Sequence, residues 1–189
     1  MALRALRWFA QCMHRRPLVT QCASSGILIA GGDIICQFGL EKCTWETYNG
    51  QRSARFFISA FFWEAPILSR WMIFLERIKG SSRFVILKRM VVDQLVFTPI
   101  FAASTIFNLR LLEGNTPFEA FTKLKTVYVD IMTTFYKVWP AILMFTYTYV
   151  PLNYRVVFIQ VTALFWNIYF SYALHHKPAT VPEPETKNN

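Results

Sequence analysis

Two long uncharged runs, broken by a single cation, constrain this chain more than anything else in it. Residues 138–154 carry no charged side chain, residues 156–174 carry none, and Arg155 stands between them. A hydrocarbon core about 30 Å thick is crossed by about 20 helical residues, so each run approaches the length of a membrane span. Lipid offers no water to exposed backbone groups, and a helix satisfies its own. Residues 17–32 and 94–109 are uncharged as well. The pattern therefore recurs along the chain.

The chain is 54% hydrophobic and 16% charged over 189 residues, where a soluble domain carries about 25% charged residues. A domain this small has too much surface for its volume to hide so much apolar side chain from water. The expected fold is all-α. It is a multi-pass transmembrane bundle of four kinked spans, or five if 138–174 holds two, with amphipathic N-terminal and interfacial helices. The bundle should occupy residues 17–176, after a basic helix over 1–16 and before a disordered tail over 177–189.

A net charge of +9 would suit a phosphate-binding protein. Here the basic residues gather between apolar runs, as in membrane-flanking loops. That argues against direct nucleic-acid binding and points to the bilayer, with anionic headgroups at the basic loops. A homo-oligomer is left open. The cysteines, Cys12, Cys22, Cys36 and Cys43, form no C-x-x-C pair, and His14, His175 and His176 lie at the two ends. No disulfide framework, metal site or cofactor is expected from such spacing. The chain has no H-E-x-x-H, no phosphate-cradling glycine loop and no recognisable Ser-His-Asp set, so an enzyme is not expected.

In residues 1–16, Leu3, Leu6 and Met13 share a helical face, Arg4, Arg7 and Arg15 lie largely elsewhere, and no acid precedes Asp33. This resembles a mitochondrial targeting segment or a helix lying on an anionic membrane. The first span, from Pro17 to Phe38, carries two small-xxx-small pairs, Gly26/Ala30 and Gly32/Cys36, which allow close helix approach. Asp33 near its end would cost about 2.5–3.5 kcal/mol facing lipid. It should therefore face an interior, the headgroups or water, with Gln37 one turn on along the same face.

Residues 39–55 read as a loop with an Asn49-Gly50 turn. The second span, Phe56 to Leu75, holds Glu64, a kink at Pro66, Arg70, and Trp63 and Trp71 as interface anchors. The third, Phe84 to Leu112, holds Asp93-Gln94 and a second kink at Pro99. Asp93 either pairs with Arg89 one turn earlier or lines a pore. Thr116-Pro117-Phe118-Glu119 reads as a capping box. It opens an interfacial helix over 117–136 whose apolar face is Phe118, Phe121, Leu124, Tyr128, Ile131 and Phe135. The positive-inside rule puts the N-terminal arm and the 77–89 loop on one side.

The order and spacing of these landmarks resemble the Mpv17 / PMP22 family over nearly the whole chain. The match rests on Pro17, Gly32-Asp33 with Gln37, Pro66 with Trp71 and Leu75, Lys88 with Asp93-Gln94, and Pro99. It ends in the signature Trp139, Pro140, Val150, Pro151, Arg155, Trp166 and Ser171. The resemblance implies a small integral protein of the mitochondrial inner membrane, or alternatively of peroxisomes. It also implies a weakly selective pore for small solutes, with links to mitochondrial DNA maintenance and reactive-oxygen metabolism. The chain departs from the family pattern at Leu143 and Thr146, where Gln and Asn are usual, at Ala65 and Ser69, and in the added charge of Glu64.

Two functions follow for testing. In a channel, Asp33, Gln37, Glu64, Asp93 and Gln94 point inward, with Arg155 pairing one of them or holding the headgroups, and at least three converge on a polar cavity. In a non-conducting structural or regulatory protein, the same residues are packed pairs, and the basic loops bind lipids or partners.

Overall fold

The computed structural model describes residues 4, 11, 12, 14–79, 82–149 and 152–176. Among these the chain is helical and has no strand. Seven α-helices follow in order: α1 Pro17–Ile35, α2 Gly50–Ser59, α3 Ala65–Glu76, α4 Ser82–Val92, α5 Thr98–Leu112, α6 Pro117–Tyr149 and α7 Leu152–His176. π turns extend α1 (Cys36–Leu40) and splice α2 to α3 (Ala60–Glu64) and α4 to α5 (Asp93–Phe97). Three continuous rods, Pro17–Leu40, Gly50–Leu75 and Lys88–Leu112, are long and apolar enough to cross a membrane.

Each rod carries one buried or half-buried acid at a π turn or within one helical turn of it: Asp33, Glu64 and Asp93. Pro66 and Pro99 each stand second in the helix that follows a π turn. A proline ring collides with the carbonyl four residues back, and a widened turn gives it room. Pro140 sits within α6, which runs unbroken from the interfacial stretch through Trp139-Pro140.

The anticipated 39–55 loop is shorter. Asn49 accepts a hydrogen bond from the Arg52 amide on its side-chain oxygen and caps α2, so helix begins at Gly50. The capping box of α6 is present. The Thr116 amide donates to Glu119 Oε2 at 2.8 Å, and the Glu119 amide returns to Thr116 Oγ1 at 3.4 Å. The apolar face of α6 follows the expected one from Leu124 through Tyr128, Ile131 and Phe135 and departs from it only in the first turns. Leu124, Val127 and Ile131 are buried, whereas Phe118 and Phe121 are exposed. The Lys125 ammonium lies 4.5 Å from the centre of the Phe121 ring, a cation–π contact on the outer face.

The apolar core joins Phe56, Ile106, Leu109, Leu124, Val127, Ile131 and Phe170, from α2, α5, α6 and α7. The first span enters by close backbone approach. A Cβ on Gly26 would lie 2.8 Å from the Phe57 ring, and one on Gly32 2.8 Å from the Asn167 Cβ. Glycine is what lets α1 meet α2 and α7 at these points. Residues 1–3, 5–10, 13 and 177–189, and with them most of the N-terminal helix and the tail, lie outside the described residues.

Candidate functional site

Asp33 is fully buried, and four side chains converge on it. Ser53 Oγ and Gln37 Nε2 donate to its Oδ2 at 2.6 and 2.9 Å. Ser171 Oγ donates to Oδ1 at 2.5 Å. Arg52 Nε stands 2.7 Å from Oδ1, an ion contact rather than an aligned hydrogen bond, since that N–H aims elsewhere. Arg52 spends its fork on Glu41, at 2.9 and 2.7 Å, and also donates to Ser171 Oγ at 2.7 Å. Gln37 Oε1 accepts the Asn49 amide at 2.9 Å. Both oxygens of the carboxylate accept hydrogen bonds and both terminal nitrogens of the guanidinium donate them, which offsets much of the cost of burying the pair.

Glu41 lies just beyond the first rod. Burial opposes its ionisation, but the hydrogen bonds and charge of Arg52 outweigh it and hold the carboxyl below its ordinary value. A related clamp closes the same C-terminal end of α7, one turn beyond Ser171. Arg110 reaches both Glu113 oxygens at 3.1 and 2.9 Å and the Leu174 carbonyl at 2.5 Å. His175 Nε2 lies 3.4 Å from Glu113, and its Nδ1 must be the donor to the Ser171 carbonyl at 2.9 Å, since a carbonyl only accepts. Burial raises the Glu113 carboxyl, yet the hydrogen bonds from His175 and Arg110 and their charges prevail and hold it at about 2.

Asp93 takes a different partner from the one its spacing suggested. The Trp71 indole donates to its Oδ1 at 2.8 Å and Gln94 to its Oδ2 at 3.2 Å, while Arg89 turns to the Ile78 carbonyl at 3.1 Å. Trp71 stacks on Phe97 with ring centres 4.4 Å apart, which fixes the indole against the acid.

Glu64 stands apart from both groups. Ser59 Oγ donates to its Oε1 at 3.0 Å, and Asn108 Nδ2 donates to Ser59 Oγ at 3.0 Å. No other donor among the described residues reaches the carboxyl. It faces a cavity of about 120 Å³ between the helices, walled by Phe101, Phe135, Trp166 and Phe170 and carrying Thr98, Thr105 and Asn167. The Thr105 hydroxyl, itself buried, has no hydrogen-bond partner among the described residues. Leaving a buried hydroxyl unpaired costs about 1–3 kcal/mol, so the cavity presents one unspent hydroxyl and one under-satisfied carboxyl to whatever enters.

Of the residues singled out from sequence, Asp33, Gln37 and Ser171 meet in one knot, Asp93 and Gln94 in a second group, and Glu64 is the one acid that faces the cavity. Trp166 lines the same cavity, and Trp139 packs on it edge to face at 6.1 Å. Val150, Pro151 and the Arg155 side chain lie outside the described residues. Arg52, Ser53, Thr105 and Asn167 carry no motif and were not anticipated. Arg52 had only its place three residues after a turn-forming Asn49 to mark it.

A profile of the Mpv17 / PMP22 family matches residues 110–171, from the Arg110 clamp to Ser171 of the knot. The chain is 39% identical over 171 residues to the mitochondrial inner membrane protein Mpv17 of Caenorhabditis briggsae, covering 90% of this chain and 93% of that one. It belongs to the Mpv17 / PMP22 family. The human Mpv17 protein is 29% identical over 170 residues, 89% of this chain and 97% of its own. Protein sym-1 of Neurospora crassa is 30% identical over 170 residues, 88% and 97% of the two chains. No solved structure matches. As an Mpv17 / PMP22 member with these apolar rods, the chain is an integral protein of the mitochondrial inner membrane.

Proposed function

We propose that this protein is a weakly selective channel for small solutes, seen here closed, and that its selective element is the cavity at Glu64. The observation that carries this reading is a buried carboxyl and an unpartnered hydroxyl facing one cavity in a bundle otherwise packed with aromatics. A carboxylate and hydroxyls in a dry, narrow space favour water and small cations over anions. No catalytic role is proposed. The three rods are joined in this reading by α7 as a fourth crossing, its 25 residues spanning about 38 Å at 1.5 Å per residue. The C-terminal half of α6 is a candidate fifth.

A scaffold without conduction is the second reading. What favours it is that Asp33, Gln37 and Asp93 are spent on packed partners, so three of the polar residues do not converge on one cavity. Purified protein in sealed vesicles separates the two. The channel reading expects release of small solutes above protein-free vesicles, lost on Thr105→Phe, which fills the cavity, and altered in cation preference on Glu64→Gln. Wild-type protein that is folded and inserted but passes no solute leaves the scaffold.

A further inference from the structure

A larger hollow lies apart from the Glu64 cavity and shares no lining residue with it. It is a groove of about 640 Å³ between the N-terminal half of α1 and α3, with Leu18, Leu68 and Ile73 on its walls and Gln21, Ser69 and Arg70 among its polar residues. It forms because α1 is committed elsewhere. Gly26 and Gly32 draw it onto α2 and α7, and beyond Pro66 α3 leaves space beside it. The size suits a ligand, since small-molecule sites run to about 300–1,000 Å³.

The polar atoms in the groove are unequally served. Ser69 Oγ donates to Gln21 Oε1 at 2.9 Å, so those two side chains are paired with one another. Arg70 is exposed, and the ion pairs among the described residues involve Arg52, Arg110, His175 and His176 instead. Exposed Arg15 and Arg16 directly precede Pro17 at the same end of the groove. Arg70 lies five residues before Leu75, where the second rod ends, so it is about 7.5 Å below that end at 1.5 Å per residue. That is within reach of a snorkelling side chain.

We propose that this groove binds an anionic glycerophospholipid, one acyl chain lying against Leu18, Leu68 and Ile73 and the phosphate held by Arg70. The match is one of charge and solvent together. The walls are apolar and open to the bilayer, and an arginine fork at the groove binds phosphate oxygens in pairs. A soluble anion would find no partner for the walls, and phosphatidylcholine, which carries the same phosphate, would bring its own cation among Arg70, Arg15 and Arg16.

The test is native mass spectrometry of the purified full chain in detergent, exchanged against phosphatidylglycerol or phosphatidylcholine of identical acyl chains. The expected result is one retained phosphatidylglycerol on the wild type and weak retention of phosphatidylcholine. Arg70→Gln should lower phosphatidylglycerol retention by roughly tenfold, as for loss of one charged hydrogen-bond pair, with Arg70→Lys intermediate. Ile73→Trp, which fills the groove without touching the charge, should lower retention of both lipids. Equal retention of the two lipids by wild type, unchanged retention in Arg70→Gln, or no bound lipid on wild type because residues 1–13 or nothing fills the groove, overturns the proposal.

Discussion

Ser171 Oγ donates to Asp33 Oδ1 at 2.5 Å across 138 residues of sequence, and so ties the last helix to the first. The serine is held by Arg52 as well, so one hydroxyl bridges both members of a buried ion pair. In lipid, apolar side chains supply little drive for helices to associate. A polar knot of this kind, with both carboxylate oxygens of Asp33 hydrogen-bonded, specifies which helices meet.

Breaking one partner of the knot should therefore cost more than its hydrogen-bond count suggests. Asp33→Leu leaves Arg52 buried with a single acid, and the expected loss is about 3–5 kcal/mol, read as a fall in melting temperature in detergent. Ser171→Ala removes only the bridge and should cost about 1–3 kcal/mol. Combined with Arg52→Leu, Asp33→Leu should cost less than the sum of the two single changes, because neither member of that pair is then left without the other, while Glu41 loses its Arg52 fork in both backgrounds.

Two adjacent glycines should respond oppositely to the same substitution. A Cβ on Gly31 meets nothing within 4 Å, whereas one on Gly32 meets Asn167 side chain at 2.8 Å and backbone at 3.3 Å. Gly31→Ala should be neutral or stabilise by up to about 1 kcal/mol through helix propensity. Gly32→Ala must push α1 from α7 and should cost about 1–3 kcal/mol. Thermal unfolding of the two variants side by side checks this.

The Glu113 clamp sets an acid limit on stability. Its carboxyl is held at about 2 against an ordinary 4.5, so the folded state favours the ionised form. That contribution is fully present above about pH 4.5 and is lost as pH falls toward about 2. Glu113→Gln should flatten the decline of melting temperature between those values and lower the plateau above them. A wild-type-like decline in the variant contradicts the clamp.

The rods, the capping box and the shared face of Asp33 and Gln37 were legible because they are local: uncharged length, a four-residue motif, a four-residue spacing. What the knot requires is not local. Ser53 is 20 residues from Asp33 and Ser171 is 119 from Arg52, and no periodicity announces a tertiary meeting. The Asp93 assignment changed for the same reason, since a stacked Trp71 from another rod outcompeted the neighbour on its own helix. Thr105 is an unremarkable helical threonine in sequence, and only the cavity beside it makes its hydroxyl conspicuous. Periodicity gave the inner face of α6 from Leu124 onward but not its start, where Phe118 and Phe121 face outward because no other described helix packs on that side of those first turns.

The central claim, that Glu64 and Thr105 face a space solutes can enter, is tested most directly by thiol accessibility in vesicles. The four native cysteines, Cys12, Cys22, Cys36 and Cys43, are replaced, and a single cysteine is placed at Thr105 or at exposed Ile27, near the middle of the first rod. The account predicts that Thr105→Cys reacts with a small cationic methanethiosulfonate faster than with an anionic one of similar size, that Glu64→Gln erases this preference, and that Ile27→Cys, facing lipid, stays inert. A cysteine at 105 that reacts with neither reagent, in protein shown to be folded and inserted, contradicts it.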